Sequence, residues 1–226
     1  MRGFGLGRGV LDRSLTYVTI AVTLWAAFAV AESVRERRTT PGDVAPPVAV
    51  TAVEDPYAFI AAGHRVGADH AERTIVAFLD LQCPFSAAAV RSLSDLLERY
   101  PDKVAVVYRH LPMREWSIAA ATALECAAQD GAFLAMRDGL LRSAGSFFES
   151  PWISLAREAG VSDLAGFHAC MQDSVTLAVV RRDAEAAQRL GALGTPTLLV
   201  NDRLYHGHPG AAELESALDS WLSRDE

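Results

Sequence analysis

A chain of 226 residues is long enough for one or two domains with a sizeable core. Half of its residues are apolar and 22% are charged, which is the balance of a folded globular protein rather than a disordered one. A formal net charge of −7 argues against nucleic acid as a partner, since that task needs clustered Lys and Arg.

The first element is apolar. Ser14 to Ala31 reads SLTYVTIAVTLWAAFAVA, eighteen residues without a charge, with Arg2, Arg8 and Arg13 ahead of it. It fits an uncleaved signal-anchor transmembrane helix. It also fits a signal peptide ending at the small residues Ala29 to Ala31. Residues 32–55 follow as a charged, then Pro-rich, extended tether. The anchor would hold the chain to the cell membrane, with its folded domain on the extracytoplasmic side. Cleavage would leave that domain secreted or periplasmic. Disulfides persist in either place.

Downstream, the run RTIVAFLDL from Arg73 to Leu81 predicts a strand buried on both faces. Pro84 stands where a first helical turn tolerates it. Ala87, Val90, Leu93, Leu96 and Leu97 continue at helical spacing to about Tyr100. KVAVVYR from Lys103 to Arg109 is a second strand, and strand, helix and strand of this length make a parallel unit. From about Glu115 to Leu190 the pattern is helical, in four or five segments punctuated by Gly and Pro; the charges around Arg181-Arg182 read as a solvated helix face. Thr195 to Val200 and Arg203 to His206 are then strands joined by Asn201-Asp202, a hairpin signal. Ala211 to Leu222 closes the chain as an amphipathic helix.

This order, together with FLDLQCPFS (Phe78 to Ser86), YRHLPM (Tyr108 to Met113) and GALGTPTLLVNDRLYHG (Gly191 to Gly207), resembles the DsbA-like branch of the thioredoxin superfamily. The resemblance implies an α/β thioredoxin fold, built from residues 56–111 and 194–226, with an inserted helical domain over 112–193. It implies a nucleophilic cysteine at Cys83. Pro84 would open its helix, and Asp80 is the acid three residues before the cysteine, a local hydrogen-bond acceptor or a proton relay. Thr195-Pro196 matches the pair that faces the active sulfur in this family, where the proline is cis; read without the resemblance, it is a turn-forming proline at a strand start. Thr195, Pro196 and Phe85 would then line the substrate site.

One departure matters. The family's second cysteine is replaced by Ser86. Helix-start N–H groups and the helix dipole favour a thiolate at Cys83. The Ser86 hydroxyl, one turn on, is placed to donate a hydrogen bond to it. Without a second thiol the protein cannot store an oxidising equivalent as an internal bond, so dithiol oxidation is disfavoured. Mixed-disulfide reduction, isomerisation and sulfenic-acid rescue remain open to a single thiol. The competing reading is a redox-silent peptide-binding or scaffold module. The expected partners are cysteine-containing extracytoplasmic proteins or small thiols, with the membrane engaged only through the N-terminal helix.

Cys126 and Cys170 both fall on predicted helices. The exported location and the resemblance imply a structural disulfide between them; two buried free thiols are the alternative. His206-x-His208 and the scattered His64, His70, His110 and His168 show no Cys/His pair at zinc spacing. Neither a metal nor a dissociable cofactor is expected.

Overall fold

The computed structural model describes residues 48–143 and 152–222. The apolar segment Ser14 to Ala31 lies outside them. Among the described residues no helix is long and apolar enough to cross a membrane.

The central strand β3 (Arg73–Leu79) is buried because both of its faces are covered. Ile75, Ala77 and Leu79 join Val104, Val106 and Tyr108 of β4 (Val104–His110) on one side. Val76 and Phe78 join Val107 on the other. This explains why these strands read as continuous apolar runs rather than alternations. They pair in parallel, from Arg73↔Val104 to Leu79↔His110.

Their connection, α1 (Pro84–Arg99), begins with Pro84 in its first turn and buries Ala89, Val90, Leu93 and Leu96. Each fully buried leucine contributes about 1.5–3 kcal/mol. On the other side of β3 lies β5 (Thr197–Val200), antiparallel to it and joined to β6 (Arg203–His206) by Asn201-Asp202. Asn201 has a φ of 56°, a left-handed conformation that Asn tolerates and tight hairpins require.

Two strands were not expected. Ala49–Ala52, placed by sequence in the tether, forms β1, antiparallel to β6 from Ala49↔His206 to Ala52↔Arg203. The segment 32–55 read as a tether thus includes a strand at Ala49–Ala52. Pairing covers the free edge of β6, while all four side chains stay exposed, so no apolar pattern marks the strand.

The second is β2 (His64–Gly67), which pairs with β4 from His64↔Tyr108 to Gly67↔Ala105. Glycines fix its two ends. Gly63 and Gly67 have φ of 104° and 105°, and a Cβ on either would lie 2.6 Å from the Tyr108 carbonyl oxygen or 2.7 Å from that of Val104. Among the described residues the sheet has six strands in the order β1-β6-β5-β3-β4-β2.

Between β4 and β5 come α2 (Glu115–Gln129), α3 (Phe133–Arg142), α4 (Trp152–Glu158), α5 (Leu164–Cys170) and α6 (Ser174–Arg189). The insertion serves both faces of the sheet. Ala120, Ala123, Leu124 and Ala127 of α2 pack on the Tyr108 side, and Ala186 and Ala187 of α6 pack on the Phe78 side. The last helix, α7 (Ala211–Leu222), buries Leu214 and Leu218 against the first side.

Asp183 corrects the reading of α6 as solvated around Arg181-Arg182. Those arginines are exposed, but Asp183 is buried. Its carboxylate accepts from Arg109 Nε at 2.9 Å and Nη2 at 2.6 Å, and from the His110 N–H at 3.1 Å. The guanidinium also lies over the Phe78 ring. A buried ion pair thus fastens α6 to the end of β4.

Candidate functional site

Cys83 is the N-cap residue of α1. Its backbone is extended (φ −88°, ψ 123°), and its carbonyl accepts the first helical bond from Ala87 N–H at 3.1 Å. Its own N–H donates to the Asp80 carbonyl at 2.9 Å, closing a tight turn at the end of β3. The residue is partly exposed and its thiol is free.

The sulfur turns across the gap between chain segments. Sγ donates to the carbonyl oxygen of Thr195 at 3.4 Å, 112 residues away in sequence. The Thr195-Pro196 bond is cis. β5 and β3 bring these two stretches together, since Thr197 stands opposite Phe78. Phe85 beside the cysteine is 67% exposed, and Leu193, two residues before Thr195, is 80% exposed. An apolar ring and an apolar side chain therefore flank the segments that carry the sulfur and the carbonyl.

The hydrogen bond expected from Ser86 to the sulfur is not formed. Ser86 is fully buried and its Oγ has no hydrogen-bond partner. As a thiol, the sulfur has a better acceptor in the Thr195 carbonyl and turns toward it. Pro84 occupies the first turn of α1, as its missing N–H allows.

Asp80 is 3% exposed, and both of its oxygens are engaged by backbone. Oδ1 accepts from Gln82 N–H at 2.8 Å and Oδ2 from Met113 N–H at 2.9 Å. The carboxylate therefore ties the turn before Cys83 to the loop after β4. That is the geometry of a local acceptor, with both oxygens committed to backbone N–H groups.

Cys126 and Cys170 are bonded, with Cα atoms 5.7 Å apart, and join α2 to α5. The sequence holds three cysteines, so no second free thiol accompanies Cys83.

The histidines divide differently from their sequence spacing. His206 and His208 go separate ways, to Thr51 Oγ1 at 3.2 Å and Ser92 Oγ at 3.4 Å. His64 and His110, 46 positions apart, meet at Glu125 of α2. Their Nε2 atoms lie 2.6 Å and 2.7 Å from Glu125 Oε1. Burial alone would push the Glu125 carboxyl up; the hydrogen bonds and charge of His110 and His64 outweigh it and bring the pKa down to about 2. Sequence reading missed this cluster because β2 was not foreseen. Pairing GHRVG against VVYRH antiparallel would have brought the two histidines near one another.

Comparison with known proteins agrees with this architecture. A family model described as thioredoxin matches residues 61–220. The chain belongs to the thioredoxin family. Within it, the chain is DsbA-like. It superposes with a TM-score of 0.68 on a thioredoxin-like oxidoreductase from Silicibacter pomeroyi, at 28% identity over 75% of this chain and 98% of that one. A periplasmic thioredoxin-like protein from Salmonella enterica serovar Typhimurium gives 0.62, at 27% identity over 70% and 89%. DsbA2 from Pseudomonas aeruginosa gives 0.58, at 28% identity over 71% and 94%. A curated relative, the Na(+)/H(+) antiporter NhaA 3 of Salinispora tropica, is 32% identical over 160 residues. The match takes in 70% of this chain but only 24% of the antiporter's length.

Proposed function

We propose that this DsbA-like chain is an extracytoplasmic thiol–disulfide oxidoreductase that works through Cys83 alone. The observation that carries the reading is the accounting of sulfur. Cys83 is partly exposed at a helix start, and the other two cysteines are bonded to each other. The oxidoreductase and periplasmic relatives support the class and the compartment. The Cys126–Cys170 bond supports the compartment too, since such bonds persist outside the cytoplasm. The apolar stretch Ser14 to Ala31 supports delivery there, as an anchor or a cleaved signal.

The chemistry follows from one sulfur. The Cys83 thiolate attacks one sulfur of a substrate disulfide; a new S–S bond forms, the old one breaks, and the departing thiolate takes up a proton. The Thr195 carbonyl and the Phe85 ring hold the substrate chain beside the sulfur. Resolution requires an attacking thiol from elsewhere. If a different thiol of the substrate attacks the substrate sulfur held by Cys83, a new substrate disulfide forms and the Cys83 thiolate leaves, which is isomerisation with no net electron transfer. If a small thiol attacks, and a second one follows, the substrate disulfide gains two electrons and the two small thiols become a disulfide. A sulfenic acid would instead condense with Cys83, releasing water, before the same resolution.

The test is disulfide isomerisation of a scrambled protein in a glutathione buffer. The chain should accelerate recovery of the native pairing, and Cys83→Ala should return the rate to background. Equal rates for the two proteins would remove the single-thiol reading and leave a binding module.

A further inference from the structure

We propose that His64, His110 and Glu125 form a site for a divalent first-row transition-metal ion of the zinc class, clamping the sheet edge to the helical insertion. The three side chains offer two imidazole nitrogens and one carboxylate oxygen, all within 4.8 Å of one another. That mixture suits zinc and its neighbours; calcium and magnesium prefer all-oxygen sets.

The backbone builds the arrangement. His64 opens β2 opposite Tyr108, and His110 follows Tyr108 by two residues along β4, so all three share one face of the sheet. Glu125 descends on that face from α2, next to Cys126, whose bond to Cys170 fixes the helix. Phe133 stacks on the His64 ring with centroids 4.3 Å apart, which limits its rotation. Arg137 over Tyr108 is the competing positive charge, and it is held by Asp138 at 2.8 Å.

Both Nε2 atoms converge on the same oxygen, where N–H groups now donate to Oε1. A metal would take the place of those two hydrogens. Tetrahedral zinc, with bonds of about 2.0–2.1 Å, needs donors roughly 3.3 Å apart. The present 2.6 Å and 2.7 Å separations open to that by small side-chain rotations. Coordination moves each ring proton to Nδ1, or releases it when the ring is charged. The His64 side chain is 26% exposed, against 5% for His110 and 12% for Glu125, so the ion and a water ligand enter from the His64 side.

The site is independent of the chemistry at Cys83, and the test keeps the two apart. Full-length, tag-free Cys83→Ser protein, which lacks the rival thiolate, is stripped with chelator and titrated with zinc chloride by calorimetry at neutral pH. The expected result is one ion per chain with micromolar or tighter affinity. Zinc should also raise the melting temperature, and cobalt(II) should give the intense visible absorption of a four-coordinate site. His64→Ala, at the more exposed ligand, should weaken zinc binding at least tenfold, with circular dichroism checking that the metal-free variant is folded; Glu125→Gln should do the same for affinity. No saturable binding overturns the proposal. So does binding that His64→Ala leaves intact, since the ion would then sit elsewhere.

Discussion

Replacing Asp183 with Asn probes the link between the insertion and the sheet. The carboxylate is 1% exposed and its partner guanidinium 3%, so both charges were taken from water when the chain folded. Asn keeps the shape and one acceptor oxygen, but it removes the charge that compensates Arg109. It also brings an NH2 group toward either the guanidinium or the His110 N–H, both of which are donors. Removing one partner of a buried pair costs about 3–5 kcal/mol. That is a large part of the roughly 5–15 kcal/mol that holds a domain together. At about 2–4 °C per kcal/mol for a unit of this size, the melting temperature should fall by roughly 10 °C. Urea unfolding followed by circular dichroism measures the loss, which is interpretable if the slope with urea stays constant. The double replacement Arg109→Met with Asp183→Leu should be less destabilised than Asp183→Asn alone, because no buried charge is then left unpaired. A loss under about 0.5 kcal/mol, the scale of an ordinary surface change, would refute the reasoning.

Removing the bond between α2 and α5 with Cys126→Ala and Cys170→Ala, residues 44 apart, should cost about 4 kcal/mol in the chain-entropy model; unchanged urea midpoints would contradict this. Ser86→Cys supplies a resolving thiol one helical turn from Cys83, so oxidised glutathione should then yield an internal disulfide in place of a lasting mixed one, as intact-mass analysis can show. His208 titrates low, because burial and then the charge of Arg91 disfavour its cation. Its contribution to stability is therefore fully present above pH 6.5 and declines as pH falls through the folded value. His208→Asn should flatten the acid side of the stability profile, and an identical profile would count against the assignment.

What was legible in the sequence was whatever burial on two faces or strong turn chemistry had marked. The strands β3 and β4, the Asn201-Asp202 hairpin and the start of α1 at Pro84 were all visible for those reasons. The edges were not. Strand β1 exposes all four of its side chains, and β2 is four residues held between glycines, so neither carries a periodic signal. The cluster of His64, His110 and Glu125 was hidden with β2, because only the antiparallel register brings its members together. At the sulfur, position could be read but direction could not. Nothing local in CPFS says that Sγ faces Thr195 rather than Ser86. Asp183 shows the same limit in reverse: a charged helix run disguised one residue that turns inward to meet Arg109.

The most direct test is a mass measurement on the intact chain after incubation with oxidised glutathione, before and after reduced glutathione is added. One glutathione bound at Cys83, then removed by the added thiol, is the predicted course. A chain whose mass never changes, or an adduct mapped to Cys126 or Cys170, would contradict a working single thiol at the head of α1.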